Sequence, residues 1–212
     1  MSKIIVFIGP PGAGKGTQAR LLQERKAIPQ ISTGDIFRAM KSADTPLARE
    51  VQAIMASGKL ISDELTYQIV RERTSRETGS YLLDGYPRTA VQAAQLEDLA
   101  KEQDNAIQAI EVDIAREELL KRLTGRRSCP VCGEIYNIYS KPPKNDNVCD
   151  FHPETQLTHR ADDNEESVST RLATYDEQTK PLLDYYEQSG RLQKVRGVGD
   201  LENIYREIDK LI

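Results

Sequence analysis

Residues 9–17 read Gly9-Pro-Pro-Gly-Ala-Gly-Lys15-Gly-Thr17 and follow the apolar run Ile4-Ile-Val-Phe-Ile8. Few folds admit that junction. An apolar run without polar alternation suits a strand covered on both faces, as in parallel sheets. Glycine and proline then end it abruptly, and helix-forming residues resume at once. Glycine lets a backbone wrap close to phosphate oxygens. The loop amides and the N-terminus of the following helix add donors and positive potential. In this strand–loop–helix setting the segment matches a Walker A phosphate loop. Lys15 is placed to reach the β- and γ-phosphates of a nucleoside triphosphate. Gly16 stands where the strict pattern has Ser or Thr, and the hydroxyl comes one place later, at Thr17. Whether that hydroxyl ligates Mg²⁺ stays open.

The rest of the chain repeats the alternation. Strands are expected over residues 3–8, 28–31, 81–84, 106–112 and 191–195. Helices are expected over 14–25, over 34–57 with a break at Pro46, from Ser62 onward, and over 91–103, 116–123, 165–188 and 201–211. Strand and helix in turn imply an α/β fold. Its core would be a five-stranded parallel sheet covered by helices, with right-handed crossovers. Residues 126–160 break the pattern. They hold all 3 cysteines and both histidines of the 212-residue chain, which marks an inserted subdomain.

Composition narrows the function classes. A hydrophobic share of 38% with 29% charged residues reads as globular and soluble. A net charge of -4 gives no global field for nucleic acid or an anionic membrane, so neither is expected as a partner. An anionic substrate would need a local basic cluster. No apolar run approaches the roughly 20 residues that span a bilayer, and the N-terminal run is too short for a signal peptide. A cytoplasmic protein is expected.

Local basic clusters are present. Ser32-Thr-Gly-Asp-Ile-Phe-Arg38 puts hydroxyls and an arginine at a strand-to-helix junction. Leu82-Leu-Asp84-Gly-Tyr-Pro-Arg88 ends an apolar strand in an acid, so Asp84 is suited to hold Mg²⁺ through water. Pro87 constrains the turn before Arg88. Gln92 follows one helical turn later, with an amide able to read a base edge.

With these residues the chain resembles adenylate kinases. GPPGAGKGT, STGDIFR, GKLISDEL, LLDGYPRT, GRR and ADDNEESVSTR occur in that family's order, and the likeness covers nearly the whole chain. The long 126–160 insert is similar to the family's long-lid form. The resemblance implies reversible transfer of the terminal phosphoryl of ATP to AMP, giving two ADP, in a monomer that serves nucleotide homeostasis. It implies a P-loop kinase core over 1–31, 62–125 and 161–212, an AMP-binding subdomain over 32–61 and a lid over 126–160. By the same resemblance ATP is held by Gly12, Ala13, Gly14, Lys15, Gly16, Thr17, Arg122, Arg126, Ile135, Tyr136 and Gly199. AMP is held by Thr33, Arg38, Lys59, Leu60, Ile61, Gly85, Tyr86, Pro87, Arg88, Gln92, Arg160 and Arg171. Lys15, Arg88, Arg126, Arg160 and Arg171 form the catalytic set. Tyr86 replaces a phenylalanine found in many family members, a tolerated change. Arg127 has no matched role. Asp162 and Asp163 read as helix-opening caps, with a family lid-hinge pair as the second reading.

The insert carries Cys129-Pro-Val-Cys132-Gly133 and then Cys149-Asp-Phe-His152. The spacing C-x2-C-x16-C-x2-H fits two ligand pairs of a tetrahedral zinc site. Four protein ligands leave no open position, so the zinc is expected to be structural. His159 is the reserve ligand.

The expected mechanism needs no general base. A phosphate monoester is mostly ionised at neutral pH, its second pKa being about 6. Catalysis is then positioning and charge stabilisation by Lys15, the arginines and Mg²⁺, with water excluded by closure. Three other readings stand beside this one: a UMP/CMP-type kinase, a small-metabolite kinase of the shikimate type, and a zinc-ribbon interaction protein. The mixed charge of the insert, with Glu134, Asp146, Asp150 and Glu154, weighs against the last.

Overall fold

The computed structural model describes residues 2–212. β1 (Lys3–Ile8) runs into the glycine loop and α1 (Lys15–Lys26). β2 (Gln30–Ser32), α2 (Thr33–Ala39), a 3₁₀ turn and α3 (Pro46–Ala56) follow. α4 (Asp63–Thr74), β3 (Tyr81–Asp84), α5 (Ala90–Glu102), β4 (Ala106–Asp113) and α6 (Arg116–Thr124) continue the alternation. The insert holds a short antiparallel pair, β5 (Arg126–Ser128) and β6 (Ile135–Asn137). α7 (Glu165–Thr174), α8 (Pro181–Gln188), β7 (Leu192–Arg196) and α9 (Leu201–Asp209) close the core.

The main sheet has five strands in the order β2-β3-β1-β4-β7, and every pair is parallel. β1 shows why both faces must be covered. Side chains alternate across a strand. Ile4, Val6 and Ile8 enter one buried cluster, with Ala93 and Leu96 of α5 and Tyr186 of α8. Ile5 and Phe7 enter the opposite one, with Leu22 of α1 and Ile208 of α9. An apolar run with no polar positions is what such a central strand requires. β1 therefore cannot slip in register without losing one core for the other. Among the described residues, no helix is long and apolar enough to cross a membrane.

Three departures from the sequence expectations have local causes. The second strand, expected over 28–31, starts at Gln30. Pro29 has no N–H, though its carbonyl accepts from Leu82 N at 2.8 Å. The break before α3 falls at Asp44, which is left-handed at φ 43, and Thr45 caps the helix by accepting from Ala48 N, leaving Pro46 at the first helical position. The expected long helix over 165–188 is divided. Pro181 cannot donate and crowds the carbonyl four residues back, so residues Tyr175–Thr179 widen into a π-turn. Lys180 N then reaches Tyr175 O at 2.8 Å.

Asp162 and Asp163 do not cap α7. Asn164 does, its side chain accepting from Ser167 N at 2.9 Å. Asp163 turns inward and is fully buried, because two arginines claim it. The segment around α3 rests on α7: Ser167 Oγ donates to Ala56 O at 2.7 Å. The approach is close enough that a Cβ on Gly58 would lie 2.6 Å from Ser167 O.

Candidate active site and metal centre

In open parallel sheets, ligands bind beyond the carboxyl ends of the strands. Here those ends border one cleft of about 1690 Å³. A pocket for one small ligand is roughly 300–1,000 Å³. This cleft has room for two nucleotides.

The glycine loop forms its floor. A Cβ on Gly9 would stand 2.5 Å from Val112 O, so only glycine lets the loop leave β1 there. Gly14 is left-handed at φ 93 and offers no side-chain cap, so the first amides of α1 face outward as donors. Lys15 Nζ donates to Gly9 O at 2.7 Å and Pro10 O at 3.0 Å. Burial pushes this ammonium down to about 8, with Arg88, Arg171 and Arg126 adding to the effect and Asp84 opposing it. Asp84 ends β3 beside the loop, and Gln30 Nε2 donates to its Oδ2 at 3.2 Å. A Cβ on Gly16 would meet that same oxygen at 3.1 Å. A side chain at Gly16 would therefore stand tightly against the Asp84 carboxylate.

Across the cleft, Thr33 and Arg88 converge on one backbone group. Thr33 Oγ1 donates to Gly85 O at 2.9 Å and Arg88 Nε donates to the same oxygen at 2.8 Å. Gly85, at φ 84, has no space for a side chain: a Cβ would lie 2.7 Å from Arg88 Nη2. Arg38 pairs with Asp35 one helical turn away. The Tyr86–Pro87 peptide is cis. Tyr86 itself is fully buried in the core, and burial raises its phenol above the ordinary range. Gly85, Pro87 and Arg88 border the cleft, whereas Thr33 and Gln92 lie beneath its wall. Leu60 borders the cleft, and the run Lys59–Ile61 also lines a smaller pocket of about 480 Å³ beside it.

The remaining arginines close the circle. Arg126 holds Asp163 in a two-point fork, Nε to Oδ2 at 2.8 Å and Nη2 to Oδ1 at 2.5 Å. Arg171 Nη1 donates to Asp163 Oδ1 at 3.1 Å and to Asp162 O at 3.0 Å, and pairs with Asp162 Oδ2 at 2.9 Å. A single buried carboxylate thus orients two guanidiniums that the chain places 45 residues apart by number, 126 and 171. Among the described residues, Arg160 has no acidic side chain within ion-pair distance. Burial lowers its proton affinity, and Arg126 and Arg38 lower it further. Burial also lowers Arg88 and Arg171, with neighbouring arginines contributing. Burial alone would raise Asp162, but Arg171, Arg126, Arg38 and Arg160 together outweigh it and hold the carboxyl low. So much crowded positive charge suits a polyanion.

Arg122 Nη1 donates to Gly197 O at 2.9 Å, at the loop that leads to Gly199 (φ 119). Ile135 and Tyr136 reach the cleft from the insert, although Tyr136 is mostly enclosed in the insert's own core with Cys129, Cys149 and Leu157. Arg127 donates to Thr124 O and Arg126 O, which is a structural use. Sequence reasoning missed Arg20, whose guanidinium pairs with Glu134 of the insert at 3.2 Å, and Asp63, which holds Gln92 at 2.8 Å. Both lie in helical segments where a charged residue signals nothing by itself.

The insert's four expected ligands meet. Cys129 Sγ, Cys132 Sγ, Cys149 Sγ and a His152 ring nitrogen all lie within 4.8 Å of one another. A tetrahedral zinc site with Zn–S near 2.3 Å sets neighbouring ligands about 3.8 Å apart. Cys132 and Cys149 sulfurs are 3.7 Å apart, and Cys149 Sγ lies 3.8 Å from His152 Nδ1. Gly133, at φ 72, donates its N–H to Cys129 O at 3.0 Å and turns the chain under the first pair. All three cysteines are free thiols, so the donor set fits a zinc ion. His159 borders the cleft and stands outside this cluster.

Sheet order, glycine loop and arginine-ringed cleft define a P-loop kinase core. A family model described as "Adenylate kinase" matches residues 7–191. Curated relatives agree. An adenylate kinase of Nitrosococcus oceani is 44% identical over 210 residues, 98% of this chain and 97% of that one. One of Thermotoga petrophila is 44% identical over 216 residues, covering 100% and 98%. One of Clostridium perfringens is 43% identical over 211 residues, covering 98% and 97%. The chain belongs to the adenylate kinase family, a family of phosphotransferases.

Proposed function

We propose that this chain moves the terminal phosphoryl of ATP onto AMP, reversibly, giving two ADP. One observation carries the reading: a single cleft is lined by the glycine loop, by Arg38, Gly85 and Arg88, and by Arg126, Arg160 and Arg171. Two phosphate-bearing ligands with their phosphates facing each other account for that arrangement.

Gly12, Ala13, Gly14, Gly16 and Thr17 wrap the ATP phosphates with backbone amides, and Lys15 adds its charge. Arg122, Ile135, Tyr136 and Gly199 hold the rest of ATP. Thr33, Arg38, the 59–61 loop, the 85–88 turn and Gln92 hold AMP. The acceptor phosphate is already ionised, so the chain supplies position and charge, not a base. Arg88, Arg126, Arg160 and Arg171 offset charge on the phosphoryl in flight. Asp84 would hold Mg²⁺ through water, and the ion when bound supplies further neutralisation of phosphate charge. Zinc on Cys129, Cys132, Cys149 and His152 stiffens the 126–160 lid, which closes with the 32–61 subdomain to exclude water. We read the working form as a cytoplasmic monomer. Free thiols gathered as metal ligands support a reducing compartment.

The test is transfer from Mg-ATP to AMP, GMP, CMP, UMP and dTMP in turn, with a control lacking any acceptor. AMP is expected to be strongly preferred, and ADP alone should yield ATP. Preference for a pyrimidine acceptor would overturn the AMP assignment while leaving the phosphate chemistry in place. Rapid hydrolysis in the control would overturn the argument that closure excludes water.

A further inference from the structure

Gln92 is buried, so its amide atoms need partners. Its Oε1 accepts from the Arg88 backbone N–H at 2.8 Å, and its Nε2 donates to Asp63 Oδ1 at 2.8 Å. Thr89 Oγ1 donates to the same Asp63 oxygen at 2.9 Å and accepts from Gln92 N at 3.1 Å. Asp63 begins α4 and Gln92 lies in the first turn of α5, so the contact ties two helices together.

The chemistry of the partners fixes the amide's polarity. A backbone N–H only donates, and an ionised carboxylate only accepts. Turning the amide over would set Nε2 against the Arg88 N–H and Oε1 against the Asp63 carboxylate. Both contacts would then pair like with like in a buried place. In the orientation present, one N–H and one lone pair of the amide are left uncommitted.

We propose that Asp63 is a specificity-determining positioning residue: by locking the Gln92 amide, it selects adenine over guanine in the acceptor nucleotide. This rests on the reading of Gln92 as the residue that meets the acceptor base. Adenine presents a donor at N6 beside an acceptor at N1. Guanine presents the reverse, an acceptor at O6 beside a donor at N1. An amide of fixed polarity pairs with the first edge and opposes the second at both atoms. An amide free to turn suits either. A site committed to one pattern rejects the other because its buried polar groups are left unpaired.

Asp63→Asn keeps the shape but can face either amide atom, so the Arg88 N–H is left as the one contact that still opposes a turned amide. The experiment compares kcat/KM for AMP and for GMP in the intact enzyme, Asp63→Asn, Asp63→Ser, Gln92→Leu and the Asp63→Asn/Gln92→Leu double variant. The AMP:GMP ratio is expected to fall about tenfold or more in Asp63→Asn, while KM for ATP moves by less than about twofold. In the Gln92→Leu background, Asp63→Asn should change the ratio no further, since Asp63 acts through Gln92. Loss of thermal stability and of kcat with every acceptor alike, at an unchanged ratio, would mean a merely structural Asp63 and would overturn the proposal. If Gln92→Leu abolishes the preference and neither Asp63 variant alters it, the acceptor site stands and the lock fails. If Gln92→Leu also leaves the preference intact, the base-reading role of Gln92 fails and the lock with it. Asp63→Ser carries the same comparison should Asp63→Asn not fold.

Discussion

Lys15 and Asp163 show what single residues contribute, and how differently a sequence reveals them. Lys15 was legible because the residues that define its role, the glycines and the preceding strand, are its neighbours in the chain. Its folded pKa lies near 8, below the ordinary 10.5. Between those values the unfolded chain binds more protons, so stability rises with pH across that window. The cost of keeping Lys15 charged is present in full below 8 and relieved toward 10.5. The same proton matters for ATP. We expect ATP affinity to weaken above pH 8 by up to about tenfold per pH unit, because a neutral amine no longer attracts phosphate. Calorimetric titration of ATP against pH checks this, and Lys15→Gln should give a flatter profile. Asp163 was less legible. Beside Asp162 and before a helix it reads first as a cap and only second as part of a lid-hinge pair, and only the folded chain brings Arg126 and Arg171 to it. Asp163→Asn would leave two largely buried guanidiniums without their shared charge, and breaking such a pairing costs about 3 kcal/mol or more. Urea unfolding should register the loss. Saturating ATP should stabilise this variant more than the parent, since phosphate supplies the missing negative charge. A neutral effect on stability would mean that water or another carboxylate takes over the role. Gly16 lies between the two cases. Its departure from the strict motif was visible, but its neighbour, the Asp84 oxygen 3.1 Å from where a Cβ would sit, required the fold.

At the scale of elements, periodicity and punctuation carried most of the fold. The central strands β1 and β3 could be read from apolar runs, because a buried parallel sheet leaves them unbroken. The edge strands β2 (Gln30-Ile-Ser32) and β7 (Leu192-Gln-Lys-Val-Arg196) were legible only from the alternation with helices. What failed was junctions. Pro29 delayed one strand, and Pro181 turned the middle of a long helix into a π-turn, since missing donors shift boundaries in ways that hydrophobic pattern does not record. The insert was legible through its cysteines, which had few other uses. Its own apolar cluster is small, Cys129, Tyr136, Cys149 and Leu157, and a metal held by the four gathered ligands would stabilise such an element. Cys149→Ser, or chelation, is expected to lower the melting temperature by at least about 5 °C while sparing turnover measured well below it. Equal loss of turnover at low temperature would assign the metal a part in catalysis.

At the scale of the whole molecule, segments distant in sequence must meet around one cleft. Arg20 of α1 and Glu134 of the insert form one such meeting, partly buried and 3.2 Å long. Neither residue belongs to a motif, and their pairing was invisible in the sequence. Arg20→Ala should raise KM for ATP by about two- to fivefold and leave KM for AMP unchanged. The effect should shrink in high salt, where partly exposed charges are screened. An equal rise for AMP would mean that the pair supports the core as a whole. Arg38, Arg88, Arg126 and Arg171 likewise come from α2, the turn after β3, β5 and α7. Each brings positive charge to the same cleft, offset only in part by Asp35, Asp162 and Asp163. A polyphosphate placed among them acts as a keystone does in an arch, turning mutual thrust into compression. The stiffness needed at the moment of transfer then belongs to the loaded assembly more than to the chain, and it leaves with the products.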